Sequence, residues 1–276
     1  MKVRTDLGLN QNIDKTEVKK LEFNHKYWEK NAEKFKTDHS VSWGDINMIN
    51  LEIKNILDYL KTGDLVLDAG CSNGYTTFEI AKDKKIKIRA FDYSKKSIDY
   101  AIKSQKKKDK DNKISFYHGN ILNIEEEDNK FDKVYTVRVL INLLSWVLQK
   151  KAILEMHRVL KPGGLFLVSE AFSGSLQNIN KLRALANLKP LVMHDFNLYL
   201  KEDQFEKFVT KYFEIVEVRK FSSIYYAASR FLRYLTMTNK DKDSFVNSFN
   251  NFFMDFKETE NSGDFGIQKL YILKKK

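Results

Sequence analysis

The sequence holds one cysteine, two prolines and eleven glycines among 276 residues, and each shortage excludes something. Without a second cysteine, no intramolecular disulfide and no paired-cysteine zinc site can form, and no metal site is expected. Nowhere do about 18 apolar residues follow one another, so no segment reads as a membrane-crossing helix. The start, Met1-Lys2-Val3-Arg4-Thr5-Asp6, lacks the apolar run of a secretory leader. A soluble cytoplasmic protein is the expectation. Two prolines and no low-complexity linker leave little to divide the chain, which reads as one α/β domain with appended segments.

What is abundant is lysine. Lys and Arg total 48 against 37 Asp and Glu, a formal charge of +11. Such an excess suits an anionic partner such as nucleic acid, a membrane surface or a phosphorylated substrate. The lysines are scattered over helix faces rather than gathered, which favours ordinary solvated surface and makes nucleic acid the lesser candidate.

Residues 1–20 are polar without a period and read as a loosely ordered arm. Leu21, His25, Trp28, Ala32 and Phe35 then recur at three- and four-residue spacing, predicting a helix over 21–36 with an aromatic stripe. A second helix runs from Ile46 to Leu60, ended by Lys61-Thr62-Gly63. The expected division is an N-terminal arm and helical cap over 1–54 and a main domain over 55–276. In the latter, Leu65–Ala69, Ile86–Phe91, Ile114–Tyr117, Val134–Val139 and Leu165–Ser169 read as strands, and 75–83, 94–108 and 145–160 as helices. Strand and helix alternating at this spacing imply right-handed crossovers and a doubly wound, mostly parallel sheet. Beyond a mixed segment, 171–200, come a helix near 202–211 and two strands, Phe213–Val218 and Ile267–Leu273, read as a closing hairpin. Between those strands lies an insertion, 222–262, with Tyr225, Tyr226, Phe231, Tyr234, Phe245, Phe249, Phe252, Phe253 and Phe256. It must bury that area against its own core, a substrate lid or a second copy of the chain.

The chemistry is concentrated after the first strand, in Asp68-Ala69-Gly70-Cys71-Ser72-Asn73-Gly74. A glycine turn lets backbone approach a nucleotide where a Cβ would clash. A dinucleotide fingerprint fails, because Ser72 and Tyr75 stand where its second and third glycines should be. A P-loop fails as well, because Tyr75 and Thr76 follow Gly74 with no lysine.

The run Val66-Leu67-Asp68-Ala69-Gly70-Cys71-Ser72-Asn73-Gly74 resembles the first motif of class I S-adenosylmethionine-dependent methyltransferases, departing from it only at Ser72. Further matches follow in order: Phe91-Asp92-Tyr93-Ser94, His118-Gly119-Asn120-Ile121, Phe131-Asp132-Lys133-Val134 and Leu160-Lys161-Pro162-Gly163-Gly164-Leu165. The resemblance covers about residues 55–220. It implies a Rossmann-like sheet of seven strands with the last antiparallel, N-terminal helices and a helical insertion before the last strand. It also implies S-adenosyl-L-methionine as cofactor, with Asp68, Gly70, Cys71, Gly74, Asp92, Tyr93, Asn120, Ile121 and Val137 around it. Asp92 would accept from both ribose hydroxyls, and Asn120 would stand in for the acid that meets the adenine amino group. Each residue also has a plainer use, Asp92 as a helix cap, Asn120 as a turn residue and Pro162-Gly163-Gly164 as a helix stop.

Methyl transfer needs alignment, a dry pocket and, for a hydroxyl acceptor, removal of a proton. His39, between the two N-terminal helices, and His194, followed by Asp195, are the catalytic candidates, though either imidazole could be a plain surface group. Arg138, at the end of strand four, could hold an anionic acceptor or neutralise a neighbouring acid, and Tyr199 and Arg183 lie in the segment expected on the acceptor side. Cys71 reads as packing and His157 as structural. No Asn-Pro-Pro-Tyr or Asp-Pro-Pro-Tyr stands at 138–141, which disfavours planar nitrogen acceptors. The favoured reaction is therefore O-methylation of a small polar molecule, anionic or carbohydrate, such as a sugar or nucleotide-linked cell-surface precursor. RNA or protein methylation and a non-catalytic S-adenosylmethionine-binding module are the alternatives, and the insertion could join two copies into a homodimer.

Overall fold

The computed structural model describes residues 15–83, 85–111, 113–237 and 244–276. Seven strands form one sheet in the order β3-β2-β1-β4-β5-β7-β6. They are β1 Leu65–Ala69, β2 Lys87–Asp92, β3 Ile114–His118, β4 Phe131–Val137, β5 Leu160–Ala171, β6 Phe213–Arg219 and β7 Gln268–Lys275. All adjacent pairs from β3 to β5 are parallel, and β7 slots antiparallel between β5 and β6. The last two strands pair directly, as the hairpin reading required.

Alternation along the strands builds two cores. Val66, Ile88, Ala90, Tyr135 and Leu167 face one layer, and Leu67, Phe91, Val134, Phe166 and Val168 face the other. The first layer is covered by α2 (Ile46–Leu57), α3 (Tyr75–Asp83) and α4 (Lys95–Lys108), through Ile49, Ile53, Ile56, Phe78, Ile80, Ile98 and Ala101. The second is covered by α5 (Trp146–Val159) and α7 (Glu202–Val209), through Leu148, Ala152, Ile153, Met156, Phe205 and Val209. Local chemistry starts the helices: Asp45, Ser94 and Ser145 accept from the backbone N–H of Met48, Ser97 and Val147.

Two elements differ from expectation. The first helix, α1, runs Lys15–Phe35, so residues 15–20 are helical, while the arm expected over 1–14 lies outside the described residues. The mixed segment holds an unforeseen helix, α6 Ser173–Leu185, whose buried residues are Ser175, Ile179 and Arg183. Two polar residues of three give no apolar period to read. The described parts of the insertion form α8 (Ser223–Ala227), a π turn over Ala228–Leu232, α9 (Arg233–Thr236) and α10 (Ser248–Phe252). Tyr225 and Tyr226 join the first core, whereas Phe252 and Phe256 remain exposed. Among the described residues, no helix is long and apolar enough to cross a membrane.

The strand order reverses between β1 and β4, and a crevice opens there beyond the carboxyl ends of the strands, where doubly wound sheets bind ligands. α1 lies across it. Asn24, 1% exposed, donates from Nδ2 to the carbonyls of Asn142 (2.6 Å) and Phe196 (3.0 Å).

Candidate active site

The crevice is a cavity of about 810 Å³ under α1, near the upper end of the range for single-ligand sites, about 300–1,000 Å³. At one end, Gly70, Ser72, Asp92, Tyr93, Asn120, Ile121 and Val137 form the wall. The loop after β1 is pinned there by Phe91, whose carbonyl accepts from the N–H groups of Gly70 (2.8 Å) and Cys71 (2.9 Å). Gly70 and Gly74 have φ of +92° and +78°. A Cβ on Gly70 would lie 2.5 Å from Val139, and one on Gly74 2.8 Å from Phe116, so the glycines serve both conformation and space. Ser72, the departure from the motif, also takes a left-handed φ of +51°. The loop thus has the shape a middle glycine would give, at some conformational cost.

Asp92 lies on the cavity wall with both carboxylate oxygens engaged by backbone. Its Oδ2 accepts from Ser72 N and its Oδ1 from Ser94 N, both at 2.8 Å. The cap of α4 is Ser94, so the plainer use of Asp92 falls to its neighbour. Burial pushes the Asp92 carboxyl up, against the lowering by its two backbone donors. Both oxygens are held at the cavity wall in a fixed orientation, which suits a vicinal diol. Asn120 lines the same end with its Oδ1 accepting from Leu122 N at 2.9 Å, so its use as a turn residue is realised too.

Asp68, Cys71 and Gly74 stand behind this wall. Asp68 Oδ2 accepts the hydroxyls of Thr77 (2.6 Å) and Tyr135 (2.7 Å), tying β1 to α3 and β4, and burial pushes its carboxyl up to about 7. Burial raises the Cys71 thiol well above its ordinary value, which suits packing and not nucleophilic attack. Asn73 donates from Nδ2 to the carbonyls of Lys36 (2.9 Å) and Asp38 (2.8 Å), fastening the link after α1 to the cofactor loop.

Next to this end, the chain leaves β4 through Arg138, which has a left-handed φ of +56°. Glu170, fully buried at the end of β5, accepts from the N–H groups of Val139 and Leu140 (2.9 Å each) and Ile141 (3.3 Å). It holds the turn that carries the strand-four residues into the cavity. The Arg138 guanidinium donates to Glu52 and to Ser42 Oγ, and stacks 5.0 Å over Trp43. Burial lowers it to about 10. Of its two expected uses, neutralising a neighbouring acid is the one formed.

The other end of the cavity is walled by Trp43, Leu176, Leu191, Tyr199, Tyr226, Phe245 and Ile267, with Arg230 and Gln268. Tyr199 and His194 are both on the wall. The His194 ring stacks on Phe196 (5.0 Å between centroids, 7° apart), which stacks on Tyr27 of α1 (4.2 Å, 20°). His39 is off the cavity wall: its Nδ1 lies 3.1 Å from the Trp43 carbonyl and its ring faces Tyr75 edge-on. Arg183 donates to the carbonyls of Lys189 and Arg230 and braces the acceptor segment against the insertion. His157 packs edge-on against Tyr212 and Phe213, away from the cavity, as expected. Among the described residues no cluster could hold a metal ion.

Sequence reasoning missed Asn24 and Tyr27 on α1, the Glu52 and Glu170 carboxylates, and Arg230 and Gln268 on the wall. The aromatic stripe of α1 and the aromatic residues of the insertion were the signals, through Trp28 and Phe245.

Comparisons with known proteins agree with this geometry. Residues 60–231 match a family model described as a methyltransferase domain. A stretch of 113 residues is 33% identical to sterol 24-C-methyltransferase of Saccharomyces cerevisiae, covering 40% of this chain and 28% of that protein. An uncharacterized methyltransferase of Schizosaccharomyces pombe is 34% identical over 122 residues, 42% of this chain and 43% of that one. This chain thus spans less than half the length of either relative. Among solved structures, a geranyl diphosphate methyltransferase in complex with S-adenosylmethionine superposes with a TM-score of 0.53 at 13% identity, covering 81% of this chain and 84% of that one. A protein from Pyrococcus horikoshii gives 0.54 at 16% identity, covering 83% and 90%. From its motifs, its strand order and the matched family model, the chain belongs to the methyltransferase domain family, of the class I S-adenosylmethionine-dependent type.

Proposed function

We propose that this chain transfers a methyl group from S-adenosylmethionine to a small acceptor whose body is largely apolar. The observation that carries this is the continuity of one cavity, from Gly70 and Asp92 to the compartment of Trp43, Leu176, Leu191, Tyr226, Phe245 and Ile267. The residues present fit the cofactor: Gly70 brings bare backbone to the cavity wall, and Asp92 offers an oriented carboxylate to a diol. When bound, it supplies an electrophilic methyl group with a good leaving group. The chain itself orients the two reactants and excludes water, through α1 above and the aromatic wall behind.

The apolar wall supports a small-molecule acceptor and shifts its character. A sugar or a nucleotide-linked precursor needs hydrogen-bonding side chains on every side, whereas Trp43, Leu176, Leu191, Phe245 and Ile267 give this compartment a largely apolar surface. The cover formed by α1 and the 190–199 segment also favours a small molecule over RNA or a protein, both of which need an open approach. Transfer to oxygen remains the favoured reaction, given Arg138-Val139-Leu140-Ile141 at the end of β4. His194 is the only imidazole on the cavity wall among the described residues. It is the candidate for proton removal.

The test is transfer from methyl-labelled S-adenosylmethionine to hydroxylated apolar compounds and to nucleotide sugars, with Leu176→Trp as the variant. A tryptophan there fills the acceptor end. Turnover on the apolar panel should fall at least about tenfold, the equivalent of 1.4 kcal/mol, while cofactor affinity stays within about twofold. Transfer to nucleotide sugars alone, or turnover indifferent to the plug, contradicts the apolar acceptor.

A further inference from the structure

Among the described residues, Asn24 Oδ1, Trp28 Nε1 and Asn142 Oδ1 line the cavity toward α1 without a hydrogen-bond partner, and on the acceptor wall Gln268 Oε1 is in the same position. Gln268, 2% exposed, lines the cavity with a buried Oε1 that accepts no hydrogen bond. Tyr199 lines it too, mostly buried, and among the described residues no hydrogen bond of its hydroxyl is seen. Their placement is fixed by backbone pairing: Ala171 at the end of β5 is the register partner of Gln268, and its carbonyl accepts from Leu200 N at 3.0 Å. Tyr199 and Gln268 therefore flank the same strand end. A buried carbonyl oxygen without a donor is costly, and a native fold keeps one where a ligand completes it.

The cations nearby are already satisfied. Arg230 donates from Nη2 to Asp45 Oδ2 (2.6 Å) and from Nη1 to Ser229 Oγ (2.8 Å). Its guanidinium lies between the rings of Phe245 (4.2 Å) and Tyr226 (4.6 Å). Arg138 is matched by Glu52 in the same way. Both carboxylates are fully buried, so each arginine adds no net charge to the wall. A ligand carboxylate at this end would lose its water and find both arginines already paired, while Asp45 and Glu52 repel it; the lysine on the cavity wall, Lys34, stands on α1.

We propose that Gln268 and Tyr199 select an acceptor bearing an uncharged hydroxyl on its apolar body, the hydroxyl donating to Gln268 Oε1 and accepting from the Tyr199 hydroxyl. The hydroxyl has one donor and two acceptor sites, the complement of what the two side chains leave open. A site built to hydrogen-bond a hydroxyl discriminates strongly against an analogue that lacks it. This rests on the apolar-acceptor reading above and adds the class of molecule to it.

The experiment measures binding of cyclohexylpropanol, cyclohexylpropionate and propylcyclohexane by calorimetry to the full chain saturated with S-adenosylhomocysteine. The alcohol should bind at least about tenfold more tightly than the acid or the hydrocarbon, the magnitude of one buried hydrogen bond. Gln268→Leu and, independently, Tyr199→Phe should bring alcohol affinity down to that of the hydrocarbon, with S-adenosylhomocysteine affinity unchanged as the control for folding. Tighter binding of the acid, or an alcohol preference that survives both substitutions, overturns the proposal while sparing the apolar compartment. Absence of binding by all three, the hydrocarbon included, to protein that holds S-adenosylhomocysteine overturns both.

Discussion

Asp68 and Asp92, 24 positions apart, show how one residue type takes two tasks by placement. Asp92 faces the cavity with both oxygens oriented by backbone N–H groups, whereas Asp68 is enclosed and serves to join β1, α3 and β4. Burial raises the Asp68 carboxyl from 3.8 to about 7, so between those values the folded chain holds a proton that the unfolded chain releases. Stability from this group is complete below 3.8 and declines as pH rises toward 7. Asp68→Asn removes the titration and keeps an acceptor for Thr77 and Tyr135. Denaturant midpoints measured from pH 4.5 to 7.5 should fall less steeply with rising pH in the variant, and equal slopes would contradict the assignment. Gly70, Asp92 and Tyr93 could be singled out from the sequence because they sit in or just after the strand-end motifs, and all three line the cavity. It could not separate Asp68 from the cavity, since burial behind a loop is a property of the packed sheet. Arg138 was ambiguous for the same reason. Its partner, Glu52, lies 86 residues away on a helix with no motif.

At the scale of elements, α1 is the piece the motifs do not cover, and it closes the site. It is held through polar contacts: Asn24 to the carbonyls of Asn142 and Phe196, Asn31 to Val41, and Asn73 of the cofactor loop to Lys36 and Asp38. Asn24→Ala removes the first two and leaves two partly buried carbonyls short of a donor, at a cost of about 1–3 kcal/mol. The expected result is faster hydrogen exchange and proteolysis confined to α1, with the sheet unchanged. Protection of α1 equal to that of the original chain would show that the aromatic stack alone secures it. Strands and helices over 65–160 were legible because apolar runs and capping residues agree there. α6 was not, because its inward face is Ser175, Ile179 and Arg183, and helix chemistry supported by hydrogen bonds leaves no apolar rhythm.

For the whole molecule, a common sheet carries a particular acceptor compartment. The crevice follows from where the strand order reverses, and its cofactor end is built by the motifs. Its far end is built by α1, the 190–199 segment and the insertion, which meet only in the folded chain. The class of enzyme was therefore legible in the sequence and the lining of this compartment was not. The +11 charge, which alone suggested an anionic partner, is not reflected in the acceptor wall, where both arginines are matched by buried carboxylates. The central claim is that the loop from Asp68 to Gly74 and Asp92 hold S-adenosylmethionine, and calorimetric titration of the cofactor into the original chain and Asp92→Ala tests it most directly. A single site should appear in the original chain and weaken about 10- to 100-fold in the variant, the loss of one charged hydrogen-bond pair. No binding by the original chain, or equal affinity in both, would contradict it.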